Sequence, residues 1–453
     1  MRFGLISSSL LSALISIAQS EEPVRDLEQI VRQLGAEDYA ARKQAFHSLI
    51  KIGLPARKVL EAHKNDSDAE IGTRVAELLN SPYMDENQAA FYEFLAKELG
   101  PVFGAKEFGP HAFQSAACVG VWEAEPPKEI VDADGKVTES ATDNGLDWLC
   151  HNQEADGRWD SVKYGAQVEA DLVQTALALC CFLQAGHSEK VGKYRENIRR
   201  AIAWLIQQQA EDGRFVRVGQ EVQGTRQAVA SVALCMAASN AKISATHEAA
   251  QKAVNYALEH QSQKDGKRDG WGRAKHSQKP DILTTAYFLM SLKLAKETGL
   301  IVPADSFDGA SRFLDRIDDR AAHAFRHIED AKPSLQATAL GVMCRYILAG
   351  KQDDLRPYVD AGRLSSLVSG TDFCDVVLLW PATYACFATG GDHWKIYHER
   401  MISDLIMSQG ATGKAKGSWS SRGIWSGMGK VGGTAVSYLP LTVYKAYMPP
   451  LLR

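Results

Sequence analysis

The chain has 453 residues, 45% hydrophobic and 23% charged, the composition of a globular protein with room for two or three domains. Its 51 Lys and Arg against 55 Asp and Glu leave a net charge of −4, so there is neither a basic footprint for nucleic acid nor an acidic tail. Beyond the N-terminus no apolar run reaches the roughly 18 residues of a membrane span, because the longest, 435–452, is broken by Pro440, Lys445, Pro449 and Pro450.

Residues 1–20 read as a secretory signal peptide. Arg2 is the positive n-region, Leu5 to Ala18 the apolar core, and Ala18-Gln19-Ser20 the small-x-small cleavage site before Glu21-Glu22. The mature chain is then expected to start at Glu21 and to be exported, periplasmic or extracellular. Export permits disulfides, yet eight cysteines in 453 residues fall far short of a disulfide scaffold. Cys180, Cys181, Cys235, Cys344 and Cys386 sit in apolar helical segments and read as core. Cys118 and Cys150 are the one pair considered for a bridge. Neither C-x-x-C nor a zinc-type Cys/His spacing occurs, so no metal and no cofactor is expected.

Helical periodicity begins at once after the leader. Val24, Leu27, Ile30, Val31 and Leu34, then Tyr39, Phe46, Leu49 and Ile52, outline two amphipathic helices. Pro55 marks a third helix start, and Asn65-Asp66-Ser67-Asp68 a turn and cap before a fourth. These assign 21–82 to a helical unit, 83–143 to a helix and long linker, and 144–453 to the main domain.

The main domain repeats itself. Trp148-Leu149, Gln153 and Asp156-Gly157-Arg158-Trp159 recur fifty-six residues later as Trp204-Leu205, Gln209 and Asp212-Gly213-Arg214-Phe215. Weaker copies hold Gln261 with Gly270-Trp271, and Gln409 with Gly417 and Trp419. The Gln closes a helix and the Gly takes a turn with φ > 0. After each turn comes a helix apolar on nearly all sides, anchored at Thr175, Ala228, Thr285, Thr338, Thr383 and Thr434, at intervals of 53, 57, 53, 45 and 51 residues. Helices apolar all round must be buried, while their amphipathic partners face water. Six of each predict an inner and an outer ring, an all-α (α/α)6 toroid; the rival is an open solenoid.

The run Asp38, Arg42, Ala45, Leu49, Gly53, Ala56, Leu60, Asp68, Glu70, Arg74, Leu78 resembles a HEAT-like unit. Gln153-x-x-Asp156-Gly157-x-Trp159 resembles the QW motif of the squalene cyclase and protein prenyltransferase superfamily. Trp380 to Tyr384, Gly390-Gly391-x-His393-Trp394, Gly417-Ser418-Trp419 and 434–447 are similar to the exported toroid proteins of planctomycete-type bacteria, which often carry HEAT-like leaders. The resemblance implies the toroid fold over about 140–450; function has to come from a site. In this light Gln153, Asp156, Gly157, Trp159, Gln209, Asp212, Gly213 and Phe215 are structural.

The superfamily's chemistry is missing. No D-x-D-D acid occurs, and Asp315-Arg316-Ile317-Asp318-Asp319 has the wrong spacing. No D-D-x-x-D cluster occurs either. The stretch from Gly270 to Tyr287 resembles the one that bears the prenyltransferase zinc His, but Thr284 occupies that position. Gly427-Met428-Gly429-Lys430-Val431-Gly432 matches G-x-G-x-x-G without a preceding strand and reads as a flexible turn.

What remains is the mouth where the inner helices begin, with exposed N–H groups and partial positive charge. Arg226 adds a charge, Trp380, Tyr384 and Tyr438 add apolar surface with polar tips, and Asp281 and Asp375 orient a ligand or cap their helices. Asp171, Asp281 and Asp375 all read as N-caps on composition. The expected function is non-catalytic binding, at the central cavity, of an amphipathic ligand or a peptide segment that carries an acidic group. A divergent terpenoid or prenyl-processing enzyme and a carbohydrate-active (α/α)6 enzyme are the alternatives.

Overall fold

The computed structural model describes residues 21–36, 39–79, 136–215, 224–241, 243–273, 279–349, 355–361, 364, 376–421 and 427–443. The leader 1–20, nearly all of the 83–143 linker, Cys118 and Asp375 lie outside them. The chain divides into two compact units, one holding the helices of 21–79 and the other those of 136–443. Among the described residues no helix is long and apolar enough to cross a membrane.

The first unit is built from α1 (Glu21–Arg32), a 3-10 turn (Gln33–Gly35), α2 (Tyr39–Ile52), α3 (Leu54–Ala62) and α4 (Ala69–Leu79). Pro55 lies in the first turn of α3, where its missing N–H costs nothing. The Asp68 carboxylate caps α4 by accepting the Glu70 N–H at 2.8 Å and the Ile71 N–H at 3.3 Å. Val31, Leu34, Leu49, Leu60, Val75 and Leu78 form its buried core.

A polar brace ties α1 to the end of α3. His63 Nδ1 is 2.7 Å from Asp66 Oδ2, and its Nε2 is 2.8 Å from Glu28 Oε2 on α1. These two hydrogen bonds, Asp66 first, hold the imidazole above its ordinary 6.5. A group raised in the folded state contributes fully below its unfolded value and loses that contribution as pH rises through the folded one. The brace is therefore complete below about pH 6.5 and weakens above it. An NMR titration should place His63 above 6.5 in the folded protein; a value at or below 6.5 would show that the ring is not charged between its carboxylates.

The second unit alternates outer and inner helices. Outer α5 (Lys136–His151) leads to inner α6 (Asp171–Gln184), outer α7 (Arg195–Gln207) to inner α8 (Gly224–Ala241), and outer α9 (Ser244–Glu259) to inner α10 (Ile282–Thr298). Outer α11 (Ala304–Ile317), α13 (Arg356–Ala361) and α15 (Gly391–Ser408) precede inner α12 (Leu335–Ala349), α14 (Val376–Thr389) and α16 (Gly429–Leu441). Very short strands decorate two turns, β1 (Gln263–Lys264) with β2 (Lys267–Arg268), and β3 (Asp318–Asp319), β4 (Ala324–Arg326) and β5 (Pro333–Ser334). Each inner helix packs on the next, and α16 packs back on α6. The ring is closed, which excludes the open solenoid.

The seam of that closure is specific. Gln174 and Gln184 on α6 donate to the Met428 and Leu439 carbonyls at 2.7 and 2.8 Å, and Trp148 on α5 donates to the Lys414 carbonyl at 3.0 Å. The Gly-rich 427–432 stretch is not a flexible turn but part of this seam. A Cβ on Gly429 would lie 2.5 Å from the Ala166 nitrogen, and one on Gly433 2.5 Å from that of Ser421.

The repeated motif makes one repeated set of bonds. Gln153 donates to the Gly157 carbonyl in its own turn and to the Asn197 carbonyl on the next outer helix. Gln261 does the same with Asp269 and Ser306, and Gln409 with Gly417 and, closing the ring, Ala141 on α5. Gln209 reaches Ala249 on α9. Asp156 and Asp212 accept the N–H groups of Arg158 and Arg214 and so shape the turns. The aromatic that follows gives its backbone N–H to the inner helix: Trp159 to Thr175, Trp271 to Thr285, Phe325 to Thr338 and Trp419 to Thr434, each at 2.9 to 3.0 Å. Where Ala228 replaces the Thr, Gln227 supplies the acceptor to Phe215.

Candidate functional site

The chemistry-bearing residues gather where the inner helices begin. Asp281 is the N-cap of α10, its Oδ1 accepting the Thr284 N–H at 3.0 Å. Its other oxygen lies 3.6 Å from Arg273 Nε. Burial pushes the Asp281 carboxyl above its ordinary value, and Arg273 opposes this without overcoming it. His327 is beside them, because its carbonyl receives the Ile282 N–H of α10. Burial first and Arg273 second push its imidazole down to about 4, so the ring is neutral near pH 7. Arg226 enters at the same end: its neighbour Thr225 bonds Thr284 at 2.9 Å, and the Gly224 N–H bonds the Arg273 carbonyl.

A second layer lies below. Tyr287 on α10 and Trp380 on α14 have ring centroids 6.0 Å apart, tilted by 49°. Since α12 separates these two helices in the ring, their side chains can meet only inside it. The pair lies one to two turns beneath the mouth and is buried, Tyr287 7% and Trp380 4% exposed. Tyr384, one turn further along α14, is fully buried.

The sequence-based site is only partly assembled. Arg226 and Asp281 both lie at the mouth end and Trp380 lies under it, while Asp375 is outside the described residues. Tyr438 does not face the mouth. It is fully buried against outer helix α5, where a Cβ on Gly145 would sit 3.2 Å from its ring. Asp171 is not a cap either: its oxygens accept from the Ser161 N–H and hydroxyl and from Arg158, and no side chain caps α6. Arg273, His327 and Tyr287 are additions. Tyr287 carried a signal, two residues past the Thr285 that bonds outward; the other two lie in loops without periodicity.

Several expected chemistries have a local answer. Thr284, in the position of the zinc His, spends its hydroxyl on Thr225. Among the described residues no group of three or more His, Cys, Asp or Glu could hold a metal ion. Cys150 is a free, half-buried thiol, raised by burial first and Asp147 second, and Cys180, Cys181, Cys235, Cys344 and Cys386 are buried as core. A glycosidase needs two available carboxyl groups across the scissile bond. Of those at this end, Asp171 has both oxygens engaged.

No family model matches the chain, and no curated protein matches it in sequence. Solved structures do resemble it. A GH76A alpha-1,6-mannanase from Salegentibacter sp. HEL1_6 has 10% identity and a TM-score of 0.50, over 68% of this chain and 99% of that one. A family 76 mannosidase from Bacteroides thetaiotaomicron has 10% identity and a TM-score of 0.50, over 68% and 98%. A type II terpene cyclase from Scytonema has 13% identity over 69% and 97%, with a TM-score of 0.46. At these identities the likeness is one of fold. It establishes a helical toroid without singling out the cyclase and prenyltransferase type.

Proposed function

We propose that this protein is exported, with the mature chain starting at Glu21, and that its toroid binds an elongated ligand at the end where the inner helices begin. The observation that carries this reading is the convergence there of Arg226, Arg273, Asp281 and His327 over the Tyr287–Trp380 pair. Two guanidinium groups and the helix N-termini favour an acidic group on an amphipathic ligand or a peptide, and the aromatic pair favours an apolar face on it. Native mass spectrometry of protein from its own cell envelope should find a copurified molecule. Arg226→Ala should lower its retention at least tenfold, with the circular dichroism unchanged. Unaltered retention would move the site to the outer surface.

A second reading, a carbohydrate-active enzyme, is favoured by Asp281, whose raised carboxyl suits a general acid, and by the fold shared with the mannanases. Release of reducing sugar by the wild type but not by Asp281→Asn would select it.

A further inference from the structure

Two donors on α14 are buried. Trp380 is 4% and Tyr384 0% exposed, and neither the indole Nε1 nor the phenol oxygen has a hydrogen-bond partner among the described residues. Several other buried indoles and phenols find partners. The indoles of Trp159, Trp271 and Trp419 reach helix carbonyls, and the hydroxyls of Tyr194, Tyr358 and Tyr397 reach Asp147, Asp318 and the Leu379 carbonyl. Phenylalanine at 384 would fill the space of the ring without stranding a donor, which is what a purely apolar plug requires.

Their placement joins them to the site described above. Residues four apart share a helix face one turn apart, and helical side chains lean toward the N-terminus. The Tyr384 ring therefore lies back toward Trp380, whose own ring meets Tyr287 inside the toroid.

We propose that Trp380 and Tyr384 are the floor of the ligand site, and that the part of the ligand reaching them is polyhydroxylated, an oligosaccharide rather than a hydrocarbon chain. This rests on the mouth being the binding end. An indole N–H can only donate, and burial keeps the Tyr384 hydroxyl protonated, so the occupant must bring acceptor oxygens. A prenyl or acyl chain brings none and leaves both donors stranded. A carboxylate at this depth would lose its hydration. A sugar supplies hydroxyl oxygens at its edge for the two donors and C–H faces for the Tyr287 and Trp380 rings.

The mature full-length chain can be tested on an array of neutral and anionic oligosaccharides and, in parallel, with farnesol and squalene by tryptophan fluorescence. Oligosaccharide binding is expected, weakened at least tenfold by Trp380→Phe and by Tyr384→Phe, with the Tm of Tyr384→Phe unchanged or raised. Prenoid binding that survives both substitutions overturns the inference. So does oligosaccharide affinity kept within twofold in both, and so does a lowered Tm in Tyr384→Phe, the sign of a hydroxyl held by internal water. Failure of every probe overturns it as well, and the mouth reading is then decided separately by whether Arg226→Ala releases the copurified molecule.

Discussion

Replacing Gly213 by Ala should destabilise the protein by about 3 to 5 kcal/mol, from left-handed backbone strain plus forced separation of packed elements. Gly213 has φ +86°, and a Cβ there would lie 2.1 Å from the Lys252 carbonyl oxygen on α9. That oxygen is backbone and cannot swing away. The same construction recurs at Gly157 against Arg200 and at Gly417 against Asn144, each at 2.2 Å, so one motif sets the approach of every such turn to the next outer helix. Gly266 is the control: its φ is +71° with nothing within 4 Å of a Cβ. Gly266→Ala should cost only the strain, about 1 kcal/mol. Thermal unfolding that shows equal losses for the two variants would remove close approach as the reason for glycine at 213.

Trp419→Ala should cost about 3 to 5 kcal/mol, and Trp419→Phe only about 1 to 2 kcal/mol. The indole is 1% exposed and its N–H reaches the Leu405 carbonyl at 2.7 Å, in the last turn of α15. Carbonyls in a helix's last turn have no partner within the helix, so the tryptophan both fills the interface and caps the outer helix. Trp159 does this for Leu149 on α5 and Trp271 for Ala257 on α9. Phe215 and Phe325 keep the ring and the backbone bond but offer no side-chain donor. Denaturant melts in which Trp419→Phe is as damaging as Trp419→Ala would assign the whole effect to the lost N–H. Because the Trp419 turn closes on α5 through Gln409 and Ala141, the alanine variant loosens the seam of the ring itself.

The mouth was legible in the sequence only in outline. Asp281 announced itself as a cap because capping is local, a carboxylate three residues before the N–H it accepts. The same composition at Asp171 misled, since Ser161 and Arg158, ten and thirteen residues away, compete for that carboxylate and win. Arg273 and His327 carried no pattern, because loop residues gain their role from the helix end they happen to meet. The fourth aromatic turn, Phe325 against Thr338, lacked its Gln and Gly signals and showed itself only through the bond.

The alternation of apolar and amphipathic helices, their number, the left-handed turns at Gly157, Gly213 and Gly417 and the core cysteines are all legible in the chain itself, whereas Gly270 does not take the expected left-handed turn. Each of these follows from composition and spacing within a single repeat. The tertiary structure alone decided which way each inner helix turns. A helix apolar on every side has no preferred face, so periodicity cannot say which residues look into the ring and which look out. Tyr438 and Trp380 are alike in sequence context, yet one packs outward on Gly145 and the other inward on Tyr287. Closure was likewise a tertiary decision: Gln174 meets Met428 and Gln409 meets Ala141 across more than 250 residues of chain, and only the summed rotation of the repeats brings them together.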